Sequence, residues 1–293
     1  MGPWAALVSS LLMPANRDVA LVHRHALGGA YVRLTFRHAE VAQQARAGQF
    51  VMIKAGTSAE PPLRRPFSIL STDPKEETFS LFLKAIGQGS RALFDMQPGD
   101  VAQCLGPLGR PFAPPADGRE ALLVAGGYGI APFRIFTQEL VRQGARAHVF
   151  YGGRTSDDLP MRDAFADLGV PVTLTTDDGS AGTPGRVTGP VETCLESIGG
   201  RAVLYACGPD AMLHAVAGIA ERLGVPAQLS LDPWMGCGIG TCLGCVVKIQ
   251  HEDEAKPKNR CACTEGPVFD FAEIVWKGEE SSYARRRSMA VNP

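Results

Sequence analysis

Residues 235–245 decide how the C-terminal part of this chain is built, and they read Met-Gly-Cys-Gly-Ile-Gly-Thr-Cys-Leu-Gly-Cys. The cysteines of this loop, spaced C-x4-C-x2-C, are Cys237, Cys242 and Cys245. Two more, Cys261 and Cys263, follow downstream. Three thiolates from one loop and a fourth from a later turn can converge on two iron ions, and the intervening glycines permit the close backbone approach that this wrapping needs. The spacing therefore predicts a [2Fe–2S] cluster.

Two alternatives remain for these thiols, a structural zinc site and inert reduced cysteines. Zinc sites in small domains use paired C-x2–4-C units, whereas here three cysteines share one loop, so the cluster is favoured. Spacing does not decide whether Cys261 or Cys263 is the fourth ligand, because they lie two residues apart on the same side of an extended chain. Cys104 and Cys194 are isolated among apolar residues and are expected in the core.

Length and charge limit the remaining function classes. The chain has 293 residues, 45% of them hydrophobic, and its 29 Lys and Arg nearly balance 30 Asp and Glu. At roughly 100–200 residues per domain, this length predicts two or three domains. The near-neutral charge offers no basic field to nucleic acid, and no stretch reaches the roughly 18 apolar residues of a membrane span. We expect a reducing, cytoplasmic compartment, where clustered cysteines bind metals more often than they form disulfides.

Local patterns divide the chain into segments. Short β-type runs with Gly and Pro turns predict an antiparallel barrel, which ends at a breaker cluster in residues 111–118. Strands then alternate with helices, which predicts a parallel sheet covered on both faces. A loop-rich, glycine-rich part follows and needs a metal to hold it. The predicted segments are an N-terminal extension (1–17), a barrel (18–114), a Rossmann-like domain (115–225), a cluster domain (226–277) and a basic tail (278–293).

Several individual elements are predicted from apolar periodicity. We expect helices over residues 90–96, 132–143, 191–198 and 211–223, and a short strand over residues 271–276.

A flavin motif lies in the predicted barrel, where residues 63–69 read Leu-Arg-Arg-Pro-Phe-Ser-Ile. Arg65 can neutralise a pyrophosphate through forked hydrogen bonds, and the hydroxyl of Ser68 can reach the edge of an isoalloxazine ring. Downstream, Gly89 and Ser90 open a short helix whose free N–H groups suit a phosphate. A strand with exposed arginines is the alternative for the first motif, but the two motifs together predict a flavin site.

A nucleotide motif follows the first strand of the predicted parallel sheet. Gly126, Gly127 and Gly129 form a tight turn between that strand and a helix, where a glycine-rich turn can cradle a dinucleotide pyrophosphate. The strict G-x-G-x-x-G form is absent. Residues 207–209, Cys-Gly-Pro, end a later strand and are expected in the same ligand crevice, although a buried core thiol is the commoner situation for Cys207.

These motifs resemble those of ferredoxin–NADP⁺ reductase-like proteins, and together they resemble the electron-transfer subunit of B-type dihydroorotate dehydrogenase. The resemblance covers roughly residues 18–277 and rests on residues 63–69, 105–109, 126–132, 176–180, 235–245 and 263–269. It implies a multi-domain β plus α/β fold, with an antiparallel FAD-binding β-barrel, a Rossmann-like parallel-sheet NAD domain and a small C-terminal [2Fe–2S] domain. One departure is Asp232, where the family often carries Glu.

The resemblance also implies site residues. It places flavin contacts on Arg65, Pro66, Phe67, Ser68, Phe82, Leu83, Lys84, Gly89 and Ser90. It places nicotinamide nucleotide contacts on Gly126, Gly127, Gly129, Cys207, Gly208 and Pro209. It assigns the cluster to Cys237, Cys242, Cys245 and Cys263, because the last ligand of the family directly precedes a Gly-Pro-Val-Phe type of run. No general acid or base is assigned.

The implied function is electron transfer in pyrimidine biosynthesis. A catalytic partner with FMN oxidises dihydroorotate, and electrons pass through the cluster and FAD to NAD⁺, in an expected heterotetramer of two subunits of each kind. Arg154 by itself could bind the 2′-phosphate of NADP, but Asp157 and Asp158 lie near it in the sequence and favour NAD. NAD is therefore preferred. Similar subunits of sulfide dehydrogenase, ferredoxin:NADP⁺ transhydrogenase or hydrogenase complexes are the alternative. A stand-alone NADH-dependent ferredoxin or oxygenase reductase is a second alternative, and a zinc-stabilised regulatory module is a third.

Overall fold

The structure, a computed structural model, describes residues 16–56, 63–116 and 118–282. The predicted N-terminal extension lies outside the described residues up to residue 15, and the predicted basic tail does so from residue 283. Within the described part of the chain, no helix combines the length and apolar character that crossing a bilayer requires.

The first part of the chain is a closed antiparallel barrel with the strand order β1-β2-β5-β4-β3-β6, closed by pairing of β1 with β6. Alternation explains the strands: in β2, Val32, Leu34 and Phe36 are fully buried, while Arg33 and Arg37 are exposed. The elements are β1 (Asn16–Ala26), β2 (Tyr31–Arg37), α1 (Ala39–Gln44), β3 (Phe50–Ala55), β4 (Arg65–Asp73), β5 (Thr78–Lys84), α2 (Gln88–Phe94) and β6 (Val101–Leu108).

A seven-stranded sheet follows, in the order β10-β9-β8-β7-β11-β12-β15, and all its neighbours are parallel except β12 and β15. Every residue of β11 is buried, as expected for a strand covered by helices on both faces. The elements up to β12 are β7 (Glu120–Gly126), α3 (Ala131–Arg142), β8 (Ala147–Gly153), β9 (Val172–Thr176), β10 (Thr183–Pro184), α4 (Thr188–Ser197), β11 (Ala202–Cys207), α5 (Asp210–Leu223) and β12 (Ala227–Ser230).

The last described segment is a small lobe built on the edge of this sheet. Its elements are β13 (Val246–Ile249), β14 (Lys258–Cys261), α6 (Ala262–Glu265) and β15 (Val268–Asp270). Strands β13 and β14 form a separate two-stranded sheet, whereas β15 pairs antiparallel with β12 through Leu229 and Phe269. The predicted fold class of a barrel, a parallel-sheet domain and a cluster domain is confirmed.

Two details differ from the sequence-based expectation. The strand predicted over residues 271–276 is wrong: β15 ends at Asp270, and Phe271–Glu273 form a 3₁₀ turn. The carboxylate of Asp270 accepts a hydrogen bond from the N–H of Ala272 at 2.9 Å, which turns the chain away from the sheet. The predicted boundary between the Rossmann-like domain and the cluster domain falls after residue 225, before β12. Because β12 pairs with β11, this strand belongs to the larger sheet.

Candidate functional site

A cleft of about 420 Å³ lies between the barrel and the sheet. The barrel side of this flavin cleft contains every residue predicted to contact the flavin: Arg65, Pro66, Phe67, Ser68, Phe82, Leu83, Lys84, Gly89 and Ser90. The opposite side includes Gly129, Cys207 and Gly208 from the sheet domain. The fold thus brings residues from distant parts of the sequence to one cleft.

The position of Arg65 suits an anionic ligand. It begins β4, and its side chain passes over Gly89, where an added Cβ would lie 3.1 Å from Cγ of Arg65. Its guanidinium donates only to the carbonyls of Leu63 at 2.9 Å and Arg64 at 3.2 Å, and no described carboxylate pairs with it. A positive charge without a counterion at the edge of a cleft fits the pyrophosphate of FAD.

Ser90 has a more local role than the sequence suggested. Its hydroxyl accepts hydrogen bonds from the N–H groups of Ile86 at 2.9 Å and Gly87 at 3.0 Å. It therefore caps the start of α2 while it lines the flavin cleft.

The glycine turn after β7 fits closely against the turn after β11. A Cβ at Gly129 would lie 2.2 Å from the carbonyl oxygen of Cys207, and a Cβ at Gly126 would lie 2.7 Å from Pro209. Both positions accept only glycine without movement of the neighbouring backbone or ring. The two predicted nucleotide motifs are thus one interlocked structure.

A second cleft of about 560 Å³ lies at the carboxyl ends of β7, β8 and β9, where open parallel sheets bind nucleotides. This nucleotide cleft contains Gly126, Gly127 and Pro209. The predicted nucleotide residues are therefore divided between two clefts, which adjoin because Lys84 and Tyr128 line both.

Asp158 has a structural partner set that sequence reasoning missed. Its carboxylate accepts hydrogen bonds from Lys84 at 2.8 Å, Tyr31 at 2.7 Å and Arg154 at 3.3 Å. Burial opposes ionisation, but the hydrogen bonds from Lys84 and Tyr31 outweigh it and lower the pKa of Asp158 to about 2. Asp158 therefore holds two domains together. Asp158 also lines the nucleotide cleft, together with Arg154, Arg186 and Asp177, which follows β9.

The predicted cluster cysteines are brought together by contacts between the glycine-rich loop and α6. The N–H of Ala262 donates to the carbonyl oxygen of Cys245 at 3.0 Å, and a Cβ at Gly240 would lie 3.2 Å from the side chain of Thr264, next to Cys263. One loop and one later turn thus bring their thiols to the same place, as a [2Fe–2S] cluster requires. Within the described residues, no three His, Cys, Asp or Glu side chains converge as ligands of a single ion would.

Backbone N–H groups point at these sulfurs. The N–H groups of Ile239 and Cys242 lie 3.5 and 3.4 Å from Sγ of Cys237, and that of Gly244 lies 3.5 Å from Sγ of Cys242. Burial raises the pKa of Cys237, but these hydrogen bonds prevail and lower it to about 6. The loop can therefore stabilise the thiolate form that iron needs.

The environments of Cys261 and Cys263 differ. The N–H of Gly240 donates to Sγ of Cys263 at 3.2 Å, whereas the thiol of Cys261 lies 3.9 Å from the carbonyl oxygen of the same residue. An N–H donor stabilises a thiolate and a carbonyl oxygen destabilises it. Burial outweighs this hydrogen bond and raises the pKa of Cys263 to about 12, so the assignment of Cys263 as the fourth ligand stays a prediction. Cys261 is paired with Val246 across β13 and β14, so its backbone lies beside the residue that follows Cys245.

The cluster loop is seated against the barrel next to the flavin cleft. Gly238 has a φ of 77°, and a Cβ there would lie 2.5 Å from Cγ of Met52 in β3. Met52 is paired with Pro66 of the flavin motif across β3 and β4. The residues that lead into the loop, 230–232, 234 and 235, line the flavin cleft. The two predicted redox sites thus share a wall.

Large apolar side chains are exposed around the cluster loop. Trp234 is 93% exposed, Leu243 64% and Ile239 47%, and Cys242 between them is also exposed. We call Trp234, Ile239 and Leu243 the loop patch. A group of exposed apolar residues of this kind is typical of a protein-binding surface.

The fold and the two adjoining clefts define a ferredoxin reductase-like flavoprotein, extended by an iron–sulfur lobe. Three family models match in the same order: an oxidoreductase FAD-binding domain at residues 18–112, an oxidoreductase NAD-binding domain at 123–218, and the iron–sulfur cluster binding domain of dihydroorotate dehydrogenase B at 232–275. The chain thus has domains for FAD, NAD and an iron–sulfur cluster.

Similar proteins with curated names show which family within this class the chain belongs to. The dihydroorotate dehydrogenase B (NAD(+)) electron transfer subunit of Desulforamulus reducens is 35% identical over 83% of this chain and 92% of its own length. The same subunit of Geobacillus kaustophilus is 39% identical over 83% of this chain and 91% of its own length. The chain belongs to the family of dihydroorotate dehydrogenase B electron transfer subunits. Among solved structures, an NADH-dependent reduced ferredoxin-NADP oxidoreductase matches with a TM-score of 0.76 and 28% identity, over 94% of this chain and 98% of the other.

Proposed function

We propose that this chain carries electrons from a catalytic dihydroorotate dehydrogenase subunit to NAD⁺. The observation that carries the proposal is the shared wall: residues 230–232, 234 and 235 line the flavin cleft and run directly into the loop of Cys237. A cluster held by this loop would therefore lie next to a flavin bound in the cleft. A flavin exchanges electron pairs with nicotinamide and single electrons with an iron–sulfur cluster.

The protein's own residues bind and position. Arg65 would pair with the flavin pyrophosphate, and the Gly126–Gly129 turn would hold that of NAD. The thiolates of Cys237, Cys242, Cys245 and Cys263 would hold the cluster, and the surrounding N–H groups would tune its potential. Asp177 in the nucleotide cleft favours the 2′-hydroxyl of NAD over the 2′-phosphate of NADP.

The catalytic partner covers the loop patch. Exposed Trp234 and Leu243 flank exposed Cys242, so a partner seated there comes close to the cluster and shields it from water. The partner carries FMN and oxidises dihydroorotate, and the assembly contains two subunits of each kind. It works in the cytoplasm, in pyrimidine biosynthesis.

Co-expression with a dihydroorotate dehydrogenase catalytic subunit tests this function. We expect a stable complex that reduces NAD⁺ when dihydroorotate is added, whereas neither subunit alone does so. The matching electron-transfer subunit from Geobacillus kaustophilus, paired with the same catalytic subunit, is the positive control. The proposal would be refuted if the two subunits did not associate and this chain instead formed NADPH with electrons from reduced ferredoxin.

A transhydrogenase subunit is the second candidate, supported by the full-length structural match. Its 28% identity is lower than the 35–39% of the dihydroorotate dehydrogenase relatives, which therefore take precedence.

A further inference from the structure

A further cleft, of about 550 Å³, opens along the boundary between the barrel and the sheet domain, and we call it the seam cleft. Its barrel wall contains residues 70–73 of β4 and the start of β5. The opposite ends of these two strands, residues 65–68 and 82–84, line the flavin cleft. The seam cleft shares no lining residue with the flavin cleft or the nucleotide cleft, so it is a separate space.

Two polar surfaces face each other across the seam cleft. On the sheet domain, Arg134 and Gln138 of α3 are half-buried and lie one helical turn apart, so they share one face of the helix. On the barrel, Ser71 of β4 is paired with Ser80 of β5, and the hydroxyl of Ser80 lies 2.8 Å from that of Thr35. Hydrogen-bonding groups therefore line a part of the domain boundary that apolar packing would otherwise close.

Arg134 lacks a full set of hydrogen-bond partners. Its Nη2 donates to Oδ2 of Asp167 at 2.6 Å, and its side chain is only 16% exposed. Its Nη1 is buried and has no acceptor among the described residues. A buried guanidinium N–H without an acceptor is uncommon and indicates that a ligand or water supplies the missing oxygen.

Arg33 of β2 adds a second positive charge to the seam cleft, and it has neither a hydrogen bond nor an ion pair within the described part of the chain. Three acids also line the cleft, but all of them are exposed. The carboxylate of Asp73 accepts two backbone N–H groups of the following turn. The side chains of Asp163 and Asp167 are 93% and 63% exposed. The acids thus lie at the solvent edge and leave Arg33 without a counterion.

This set of donors fits a phosphate group. Arginine binds phosphate through forked hydrogen bonds, and here one arginine comes from each domain. The hydroxyls of Ser71 and Ser80 provide further donors. A phosphate monoester offers three acceptor oxygens, whereas a carboxylate offers two, so a phosphate uses more of the donors that line the cleft.

We propose that the seam cleft binds the phosphate group of a small molecule, held by Arg33 and Arg134. Arg134 turns from Asp167 to the phosphate, and the loss of that ion pair costs little because Asp167 lies largely in water. The hydroxyls of Ser71 and Ser80 donate to the remaining oxygens. This inference does not depend on the proposed function, since none of these residues lines a cofactor cleft.

Calorimetric titration of the full chain, loaded with FAD and cluster and saturated with NAD⁺, tests the site while the other phosphate-binding clefts are filled. The probes are ribose 5-phosphate and inorganic phosphate, and we expect a dissociation constant of about 1 mM or lower for at least one of them. The tighter probe shows whether a phosphate ester or free phosphate is the source. Ribose and gluconate, which lack phosphate, should bind at least about tenfold more weakly.

Variants with opposite expected signs locate the binding. Arg33→Gln and Arg134→Gln should each weaken it at least about tenfold, because a charged donor is lost. Asp167→Asn should tighten it about two- to fivefold, because Arg134 no longer has a competing carboxylate. Arg142→Gln, near the end of the same helix and outside the cleft, is the matched control and should bind like the unaltered chain.

Three results would overturn the site. One is the absence of binding heat with both phosphate probes up to about 10 mM. Another is binding of ribose or gluconate as tight as that of ribose 5-phosphate. The third is an unchanged or weakened affinity in Asp167→Asn, which removes an exposed side chain and should leave the fold intact.

Discussion

Nζ of Lys84 lies 2.8 Å from Oδ1 of Asp158, which joins the last residue of β5 in the barrel to the loop after β8 in the sheet domain. Tyr31 donates to the same oxygen, and Lys84 lies 4.7 Å from the centre of its ring. Because Lys84 lines both the flavin and nucleotide clefts, this contact ties the barrel to the sheet domain where the two clefts adjoin.

Replacing Asp158 by Asn tests this contact. We expect a loss of about 1–2 kcal/mol of unfolding free energy at pH 7, since two charge-assisted hydrogen bonds weaken at a partly screened site. The folded-state pKa of Asp158 is lowered to about 2, so the contribution is complete above the unfolded value near 4 and disappears as pH falls toward 2. Urea unfolding at several pH values measures the difference. Asp157→Asn, an exposed neighbour, is the control; an equal loss there would contradict the assignment.

The two downstream cysteines allow a matched pair of variants. Cys263→Ser should lose the cluster, because it removes the sulfur that accepts the N–H of Gly240, whereas Cys261→Ser should retain it. Iron and acid-labile sulfide per chain, after anaerobic purification, give the answer. The reverse iron contents would assign the cluster to Cys261.

Arg65→Ala should weaken FAD retention by about ten- to a hundredfold, which corresponds to about 1.5–3 kcal/mol for a hydrogen-bonded charge. Flavin content after extensive dialysis and the dissociation constant by fluorescence measure it. Arg64→Ala is the matched control, because its guanidinium donates to Asn16 at 2.5 Å and it does not line the cleft. Equal flavin loss in both variants would point to general destabilisation.

Gly129→Ala should destabilise the sheet domain by several kcal/mol, since the new methyl group would lie 2.2 Å from the carbonyl oxygen of Cys207. Gly218→Ala, in α5 with open space around it, should be neutral or stabilise by about 1 kcal/mol. Thermal unfolding of the two variants compares them. A tolerated alanine at position 129 would mean that the two turns are not interlocked.

Trp234→Ser should weaken binding of the catalytic subunit at least about tenfold, because an exposed aromatic residue at an interface often contributes more than 1 kcal/mol. Because Trp234 also lines the flavin cleft, flavin and iron contents are measured first, and binding is compared at full FAD occupancy. Leu63→Ser provides an exposed apolar control outside the loop patch. If calorimetry shows that Trp234→Ser binds the catalytic subunit as tightly as the unaltered chain, the loop patch is not part of the interface.

Local patterns in the sequence predicted much of this structure. The cysteine spacing, the flavin motif and the glycine turn each depend on neighbours in the chain, and the structure places all the predicted flavin and nicotinamide nucleotide residues in two adjoining clefts. Helix α5, predicted over residues 211–223, is found at Asp210–Leu223.

Contacts between distant residues could not be predicted in the same way. Tyr31 and Asp158 are 127 positions apart, so no local pattern predicts the hydrogen bond between them. From the sequence, Asp158 was interpreted only as a residue that favours NAD over NADP. The pairing of β15 with β12 joins residues far apart in the sequence, so the strand at residues 268–270 could not be located from the local pattern, which placed it at 271–276. Asp232 was noted only as a departure from family pattern, because its place in the wall of the flavin cleft is a property of the folded chain.

The antiparallel joint between β12 and β15 has a kinetic consequence. Hydrogen bonds between β12 and β15 attach the iron–sulfur lobe to the sheet domain. The N–H of Arg110 donates to the carbonyl oxygen of Gly266 at 2.5 Å and attaches the same lobe to the end of the barrel domain. A carrier on a flexible tether must search by diffusion for each exchange, and its turnover slows in thick solvent. Here the spacing between donor and acceptor is built in, so passage inside the subunit should proceed at the same rate in glycerol as in buffer.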